Sequence, residues 1–324
     1  MNATVCWAIQ SHRDPEQVYR LVRTLRSGSR GPIVVRHDFD RCALDGAVLA
    51  EQSGVHLLPP GAPVVRASFS AQAQPYLDVI DWLEREHIAY DWLVNVTGQD
   101  YPVTPVAQIE AFLSSATADG FLRYWDVLSA ANPWPRRKAR KRYWYRYRLL
   151  SPGSERLLYA LRFLTKVLPV WFYLDYGPFV GFPAWKVPFT PTFRCYGGWA
   201  FFSLRRSAVL YLREFLASHP EVERHYRRTV APEESLVQTV LVNSGRFQLV
   251  DDDLRYIDYS QAQRGSPRTL TESDFPSLAG GRYHFARKFD WQAAGELLDR
   301  IDREILGIGL TAAPGTPPGH DPRA

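Results

Sequence analysis

The sequence predicts an α/β fold in which a mostly parallel sheet is covered by helices. Strand and helix patterns alternate over the first 130 of its 324 residues. The strand patterns are short apolar runs without polar alternation, which is typical of strands buried on both faces. The chain is 46% apolar and 23% charged, the composition of a globular protein with an ample core. Such a sheet binds its ligand at the carboxyl ends of its strands, so we expect functional residues in the loops that follow them.

Local patterns place the elements. The first strand is predicted at 4–9, and Asp14, Pro15 and Gln17 then form an N-cap, a first-turn proline and a capping box for the first helix. Thr104 and Pro105 open a later helix by the same cap-and-proline pattern. Further strands are predicted at 33–35, 55–58, 91–96, 120–125, 198–204, 247–250 and 254–257. Further helices are predicted at 72–87, 205–217, 232–241 and 291–305.

We expect a single domain over residues 1–311. Within it, the Pro-, aromatic- and Arg-rich stretch 132–196 predicts a large irregular excursion over one face of the sheet, and the Pro/Gly-rich tail 312–324 is predicted to be disordered. The apolar region 157–185 is interrupted by charges and prolines, which excludes a spanning helix but leaves room for a membrane-facing surface. No signal peptide pattern begins the chain, and three widely spaced cysteines favour a reducing, cytoplasmic location.

Charge and motifs narrow the function. The net charge of +5 suits an anionic ligand. Motifs of P-loop NTPases, dinucleotide-binding enzymes, zinc proteases and serine esterases are absent from the sequence. Two acidic runs, Asp38-Phe-Asp40 and 251–253, follow predicted strands and could ligate a divalent cation, although solvated loop acids are an equally simple interpretation.

The segment 136–148 combines eight cationic with four aromatic residues. This mixture suits nucleic acids, sugars and anionic surfaces, and it is also compatible with a solvated cationic face. Glu233 and Glu234 stand at the start of a predicted helix, where one can interact with the helix N-terminus while the other faces a cleft. Arg287 and Lys288 follow a short predicted strand and could neutralise a diphosphate, or form a simple surface pair.

Five segments in order resemble the core-2/I-branching glycosyltransferases (glycosyltransferase family 14). They are Tyr90-Asp-Trp-Leu-Val-Asn-Val-Thr-Gly-Gln-Asp-Tyr-Pro102, Pro232-Glu-Glu-Ser-Leu-Val-Gln-Thr239, Leu254-Arg-Tyr-Ile-Asp258, Ser266-Pro-Arg-Thr-Leu-Thr271 and Phe285-Ala-Arg-Lys-Phe-Asp290. That family includes β-1,6-N-acetylglucosaminyltransferases and peptide O-xylosyltransferases. The resemblance spans most of residues 4–295, and the lack of a membrane anchor or disulfide pattern fits a bacterial-type member.

The resemblance implies a GT-A-type fold and inverting, metal-independent transfer of a sugar from a UDP donor to an acceptor hydroxyl, with a β-linked product and no cofactor. Carried over residue by residue, it makes Glu234 the general base and gives a donor-binding set of Arg287, Lys288, Asp38 and Asp100, with Asp40 as the alternative to Asp38. On the acceptor side we place Trp199, Arg142 and Tyr145.

The remaining expectations concern the substrates and the rival interpretations. N-acetylglucosamine is preferred over xylose as the donor sugar, and the acceptor is expected to be a glycan, a peptide or a lipid-linked sugar. Peripheral contact with the inner membrane face is compatible with the sequence, and no nucleic-acid partner is expected. Ala200 stands where relatives usually carry a polar residue, which keeps a non-catalytic glycan- or nucleotide-binding protein as an alternative. Nucleic-acid binding through 136–148 is a further one.

Overall fold

The computed structural model describes residues 3–61, 64–65, 68–151, 153–174, 177–261 and 266–309. The strands of the described chain are β1 (Val5–Ser11), β2 (Ile33–His37), β3 (Val55–Leu57), β4 (Trp92–Thr97), β5 (Asp100–Pro102), β6 (Gly120–Leu122), β7 (Trp125–Asp126), β8 (Tyr145–Leu149), β9 (Trp171–Tyr173), β10 (Phe179–Pro183), β11 (Tyr196–Gly197), β12 (Phe202–Arg205), β13 (Leu249–Val250), β14 (Arg255–Ile257) and β15 (Phe285–Arg287).

The α-helices of the described chain are α1 (Pro15–Gly28), α2 (Gly46–Ala50), α3 (Phe69–Gln72), α4 (Gln74–Arg85), α5 (Val106–Ser115), α6 (Arg136–Tyr143), α7 (Glu155–Ala160), α8 (Leu164–Val167), α9 (Arg206–Ser218), α10 (Pro220–Tyr226), α11 (Leu236–Ser244), α12 (Phe275–Leu278) and α13 (Gly295–Ile301). Short 3-10 turns occur at Leu161–Phe163, Pro232–Glu234 and Glu272–Asp274, and a π turn at Asp302–Leu306 follows α13.

A seven-stranded sheet in the order β13-β6-β12-β4-β1-β2-β3 forms the centre of the molecule. Strand β12 runs antiparallel to its neighbours β4 and β6, whereas the other neighbouring pairs are parallel. The predicted α/β class with a mostly parallel sheet is therefore confirmed. Because β12 is reversed, the residues before it, and not those after it, lie at the edge where the parallel strands end.

Helices cover both faces of this sheet. Along β1, Val5, Trp7 and Ile9 enter one apolar cluster with residues of α1, α5 and α13. The alternate residues Cys6 and Ala8 enter a second cluster with residues of α4, α9 and α11. Alternation along a strand sends successive side chains to opposite faces, so the unbroken apolar run of β1 is explained by two cores.

Several predicted boundaries differ from the structure because tertiary contacts override local patterns. The predicted helix at 72–87 corresponds to α4, which is shorter at both ends, and Gln72 ends the separate helix α3. The predicted strand at 120–125 is interrupted between β6 and β7, and the one at 198–204 begins only at Phe202. The predicted helix at 291–305 is shortened to α13, which continues into the π turn.

Two predicted caps are also replaced by other contacts. Asp14 adopts a left-handed backbone without a side-chain cap, and Gln17 donates instead to the carbonyl of Gly98. Helix α5 begins at Val106 and not at Thr104, whose hydroxyl donates to the carbonyl of Tyr283.

The stretch 132–196 has more regular structure than the sequence predicts. It contains α6, α7 and α8, and strands β8, β10 and β9 form a separate antiparallel sheet in that order. A second small sheet joins β14, β15 and β5 beside the central one. The tail 312–324 lies outside the described residues. In the described part, no helix combines the length and apolar character needed to cross a bilayer.

Candidate active site

Three loops meet where the parallel strands β1, β2 and β4 end. The hydroxyl of Ser11 pairs with Nδ1 of His37 at 2.8 Å, and the backbone N–H of Asp38 donates to the carbonyl of Ser11 at 2.9 Å. The backbone N–H of Gly98 donates to Gln10 at 2.8 Å. Asp38 therefore lies at the expected edge, where its carboxylate accepts a hydrogen bond from the backbone N–H of Asp40.

His12, the first residue after β1, is a member of this site that the sequence analysis did not single out. Burial lowers the pKa of its imidazole; the positive charges of Arg13 and Lys288 add to this shift, and the carboxylate of Asp38 opposes it. The charges of both Asp38 and Lys288 therefore influence the imidazole of His12. His12 lies three residues after the strand predicted at 4–9, in a loop where functional residues were expected, and this position was the available signal.

The small sheet concentrates positive charge around one buried carboxylate. Asp100 lies on β5, Arg287 on β15 and Arg255 on β14, so each strand contributes one charged side chain. Asp100 Oδ1 is 3.5 Å from Arg287, and Asp100 Oδ2 is 3.4 Å from Arg255. Asp100 is fully buried and also accepts from the backbone N–H and the hydroxyl of Thr97, each at 2.9 Å.

Asp100, predicted as a donor-binding residue, is therefore buried behind Arg287 and has no exposed side-chain surface. Arg287 retains 15% of its side-chain exposure, whereas Arg255 retains 2%. The guanidinium groups of Arg255 and Arg287 each lie 4.5 Å from the ring of Phe201. Burial lowers the pKa of Arg255, and the nearby charge of Asp100 counters this shift. Arg255 was not recognised as a site residue from sequence.

Lys288 belongs to a segment that is fastened to the turn between β4 and β5. Its ammonium donates to the hydroxyl of Ser266 at 3.2 Å. The backbone N–H of Phe289 donates to the carbonyl of Gln99 at 2.9 Å. Since Gln17 also binds this turn through Gly98, helix α1, the turn and the 287–289 segment are held together.

Glu234 ends the short 3-10 turn that precedes α11. Its Oε2 forms an ion pair with the guanidinium of Arg142 on α6. The side chain of Arg142 is 9% exposed and that of Glu234 is 21% exposed. The guanidinium also lies 4.7 Å from the ring centre of Trp134. The structure thus brings the predicted base and one predicted acceptor residue into contact.

Glu233 has a different environment from its neighbour. Its side chain is buried, and one of its carboxyl oxygens has no hydrogen-bond partner. Burial raises the pKa of Glu233 well above its ordinary value, and the adjacent charge of Glu234 raises it further. A neutral carboxylic acid avoids the cost of a buried charge. Burial therefore favours the neutral form of Glu233 more than that of an exposed glutamate.

The segment Gly198–Phe201 links the backbone of Glu234 to the cationic side chains of Arg255 and Arg287. The backbone N–H of Gly198 donates to the carbonyl of Glu234 at 2.8 Å, and the ring of Phe201 lies between Arg255 and Arg287. Three residues of extended chain span at most about 11 Å, so the backbone of Gly198 lies within that distance of Phe201. A Cβ at Gly198 would lie 1.9 Å from the carbonyl oxygen of Arg123, so only glycine fits there.

An asparagine fixes the course of this segment. The side-chain amide of Asn95 on β4 donates to the carbonyl of Ala200 at 2.7 Å and accepts from the backbone N–H of Phe202 at 2.6 Å. The methyl side chain of Ala200 brings no polar atom to the site, as the sequence analysis anticipated.

Aromatic rings surround Trp199. It stacks on Tyr259 at 5.2 Å between ring centres and meets Trp125 edge to face at 5.4 Å. Trp199 also lies 6.4 Å from Trp134, the ring beneath Arg142. Tyr145, by contrast, packs beside Tyr147 and Phe179 in a different apolar cluster, where its hydroxyl accepts from Lys141 at 2.6 Å.

The basic-aromatic segment 136–148 is largely part of the fold. Tyr143 and Tyr147 are buried, and Trp144 packs against Phe189. The guanidinium of Arg142 forms an ion pair with the carboxylate of Glu234. Bases of a nucleic acid would need exposed rings on which to stack, so this arrangement does not favour the nucleic-acid interpretation.

The acidic run 251–253 has structural contacts. Asp251 accepts from the backbone N–H of Tyr124 at 2.9 Å, and burial raises the pKa of Asp253 to about 6. Among the residues that the structure describes, no three histidine, cysteine or acidic side chains are grouped as metal ligands would be.

A mostly parallel sheet with one reversed strand, and with a carboxylate and several cations at one edge, is consistent with a GT-A-type glycosyltransferase fold. The chain belongs to the Core-2/I-Branching enzyme family, whose model matches residues 60–279. The family resemblance seen in the sequence is thereby confirmed.

Three relatives from Arabidopsis thaliana are similar to most of this chain. Beta-glucuronosyltransferase GlcAT14A is 27% identical over 241 residues, which are 70% of this chain and 45% of that protein. GlcAT14B is 28% identical over 69% of this chain and 46% of its own length, and GlcAT14C is 27% identical over 67% and 50%. The chain thus spans about half the length of the curated relatives it matches.

One solved structure, a nucleoside-diphosphate-sugar pyrophosphorylase from Vibrio cholerae RC9, aligns with 76% of this chain and 90% of its own at 10% identity. Its TM-score of 0.34 is too low to support a conclusion.

Proposed function

We propose that this glycosyltransferase moves a sugar from a UDP donor to an acceptor hydroxyl with inversion, and that it uses side-chain cations in place of a divalent metal. The proposal is supported chiefly by the segment Gly198–Phe201, which connects the backbone of Glu234 to Arg255 and Arg287. A sugar ring and a diphosphate need neighbouring sites of this kind, one with a carboxylate and one with cations.

In the proposed reaction Glu234 takes the proton of the acceptor hydroxyl while the acceptor oxygen bonds to the anomeric carbon. The bond between that carbon and the diphosphate oxygen breaks, and UDP leaves with the electron pair. A single displacement without an enzyme-bound sugar inverts the anomeric configuration. The side chains of Arg287 and Lys288 stabilise the charge on the leaving group, a role in which fixed cations can replace Mg²⁺ or Mn²⁺.

For the donor sugar we propose glucuronic acid. The three relatives are named as β-glucuronosyltransferases, and this favours a hexuronic acid over the N-acetylglucosamine or xylose that the family resemblance alone suggests. The acceptor is a glycan, a peptide or a lipid-linked sugar, and the turnover assay with a panel of acceptors distinguishes these classes. The rings around Trp199 suit a sugar, whose C–H faces pack on aromatic side chains.

Donor binding can be tested by thermal unfolding in EDTA with UDP, UDP-glucuronic acid, UDP-N-acetylglucosamine, UDP-xylose and adenosine diphosphate. A ligand at 100 times its dissociation constant adds about 2.7 kcal/mol to stability. We expect stabilisation by the uridine ligands, greatest with UDP-glucuronic acid and reduced in Lys288→Ala. Stabilisation only after Mn²⁺ is added would contradict metal independence.

Turnover is tested by a matched pair of variants with the donor that binds best and a panel of acceptors. Glu234→Gln should lower kcat by about 10²–10⁴-fold, because general base catalysis contributes that much. Glu233→Gln is the control and should keep most of the activity, since the side chain of Glu233 is buried and burial favours its neutral form, which Gln resembles. Donor binding without turnover by the wild type would favour the non-catalytic alternative. Equal activity of both variants would refute the assignment of the base.

A further inference from the structure

An exposed surface lies between Arg148 and Lys186, outside the candidate active site. We define this apolar-cationic surface by its exposed apolar residues Leu149, Leu157, Phe163, Val167, Leu168 and Trp185. Trp185 is fully exposed and Val167 is 75% exposed. Several large apolar side chains in one region of a surface mark an interaction site, whereas single exposed ones do not.

The central part of this surface is a short helical run from α7 through the 3-10 turn to α8. Leu157, Leu161, Leu164 and Leu168 recur at the spacing that places side chains on one helical face. Within the run, Leu158 is buried, and the other leucines are half-buried or exposed. The described part of the chain therefore leaves this leucine face largely uncovered.

The helical run crosses the small sheet of β8, β10 and β9. Strands β8 and β9 both pair antiparallel with β10, so they run in the same direction and their connection must pass from one end of the sheet to the other. The sheet adds exposed Leu149 and Phe182, and Trp185 follows β10. The apolar residues thus come from three neighbouring elements.

Positive charge accompanies the apolar side chains. Residues 146–186 contain six lysines and arginines but only two acidic residues. Arg156, Arg162 and Lys166 are exposed on the helical run itself. Arg162 and Lys166 are four residues apart and share a face distinct from the leucine face. Helices that lie on a membrane surface combine Leu, Phe and Trp on one face with Lys and Arg on another.

We propose that the apolar-cationic surface docks on the surface of an anionic lipid bilayer. Its apolar side chains would enter the headgroup boundary, and its cations would meet lipid phosphates and anionic headgroups. A fully exposed tryptophan suits this boundary, because its ring is apolar while its N–H remains hydrated. A second copy of the chain would bring the same positive charge against these cations, whereas an anionic bilayer meets both the apolar and the cationic side chains.

A short stretch of chain connects the surface to the partner of Glu234. Arg142, the partner of Glu234, lies on α6, and β8 begins at Tyr145. His225 on α10 pairs with the carbonyl of Tyr143 at 2.9 Å, and the backbone N–H of Tyr147 donates to Arg228 at 2.7 Å. Strand β8 thus connects the apolar-cationic surface to the helix that carries the partner of Glu234.

The test is flotation of the full chain with vesicles of phosphatidylcholine alone or with about one third phosphatidylglycerol, without donor or acceptor. We expect binding to the anionic vesicles that weakens in high salt, and much weaker binding to the neutral ones. Leu157→Ser/Phe163→Ser/Val167→Ser and Arg162→Glu/Lys166→Glu should each weaken binding by at least about tenfold.

Matched controls change residues of the same kind outside the surface. Val250→Ser replaces a 40% exposed apolar residue on β13, and Arg30→Glu/Arg303→Glu reverses two exposed charges. Both should bind as the wild type does. Melting temperatures near that of the wild type would show that the test variants fold.

Failure of the wild type to float with anionic vesicles, or equal binding by the charge-reversal variant, would overturn the proposal. So would a concentration-dependent dimer that the triple variant disrupts, if the wild type floats with neither kind of vesicle. The assay needs no catalysis, so its result is separate from that of the proposed glycosyl transfer.

Discussion

Glu233 and Glu234 share a turn but differ in their access to solvent and in their partners. Glu234 reaches solvent and contacts Arg142, whereas Glu233 is buried with an unpartnered oxygen. Burial raises the pKa of Glu233, so the folded chain holds this carboxyl proton more tightly than the unfolded chain. Proton binding at Glu233 is therefore linked to folding, whereas the side chain of Glu234 is partly exposed to solvent.

This linkage predicts a stability effect at one residue. The pKa of Glu233 is raised in the folded state, so above its unfolded value of about 4.3 the folded chain binds more protons than the unfolded chain. Stability then falls as pH rises above that value. Glu233→Gln removes this pH-dependent contribution to stability. Its melting temperature should therefore exceed that of the wild type at pH 8, and the difference should vanish near pH 4. Melting curves across that range test it, and a parallel fall in both proteins would contradict it.

At the scale of elements, the small sheet of β5, β14 and β15 is organised around charge. Its three strands contribute Asp100, Arg255 and Arg287, and Asp100 is the carboxylate that both guanidinium groups approach. A buried charge without its partner is strongly unfavourable. The sheet thus supports Arg287 from behind while leaving part of it exposed.

Asp100→Asn should therefore lower the free energy of unfolding by about 3–5 kcal/mol, because two guanidinium groups lose their counter-charge. Urea unfolding measures this change. Asp81→Asn is the matched control: Asp81 pairs with Arg213 but is 60% exposed, and a surface pair contributes at most about 1 kcal/mol. Similar losses in the two variants would mean that Asp100 does not hold the buried cations.

Long-range pairing also explains which parts of the site could be predicted. Helix α1 and strands β1 and β2 follow from local apolar patterns, and Glu234, Arg287 and Lys288 are predicted as site residues from short motifs. The pair of Arg255 and Asp100 is 155 residues apart in sequence, so no local pattern reports it. The elements within 132–196 were missed because their helices are short and their strands pair only with one another.

At the scale of the whole molecule, two buried histidines predict sensitivity to acid. Burial lowers the pKa of both His225 and His284 to about 4; Arg146 and Arg255 respectively contribute to the shift. The unfolded chain has histidines with a pKa near 6.5, so it binds more protons than the folded chain below that pH. Stability is full above about pH 6.5 and falls as pH drops towards 4.

The loss amounts to roughly 3 kcal/mol for each histidine at the acid limit. Urea unfolding between pH 7 and pH 4 should show a smaller loss for His225→Gln and for His284→Gln than for the wild type. His219→Gln, at an exposed position, should keep the wild-type dependence. The prediction fails if all four proteins lose stability equally.

The reversed strand β12 also affects the order in which the parts of the molecule fold. It pairs with β4, and the bond from Asn95 to Ala200 closes a loop of 105 residues. Pairings over such distances are slow to form, because the chain must lose much of its freedom before the contact rewards it. Phe201 comes between Arg255 and Arg287 only once β12 is in the sheet. During refolding, the ability to bind an anion should therefore arise late, after the helices and the parallel strands have assembled.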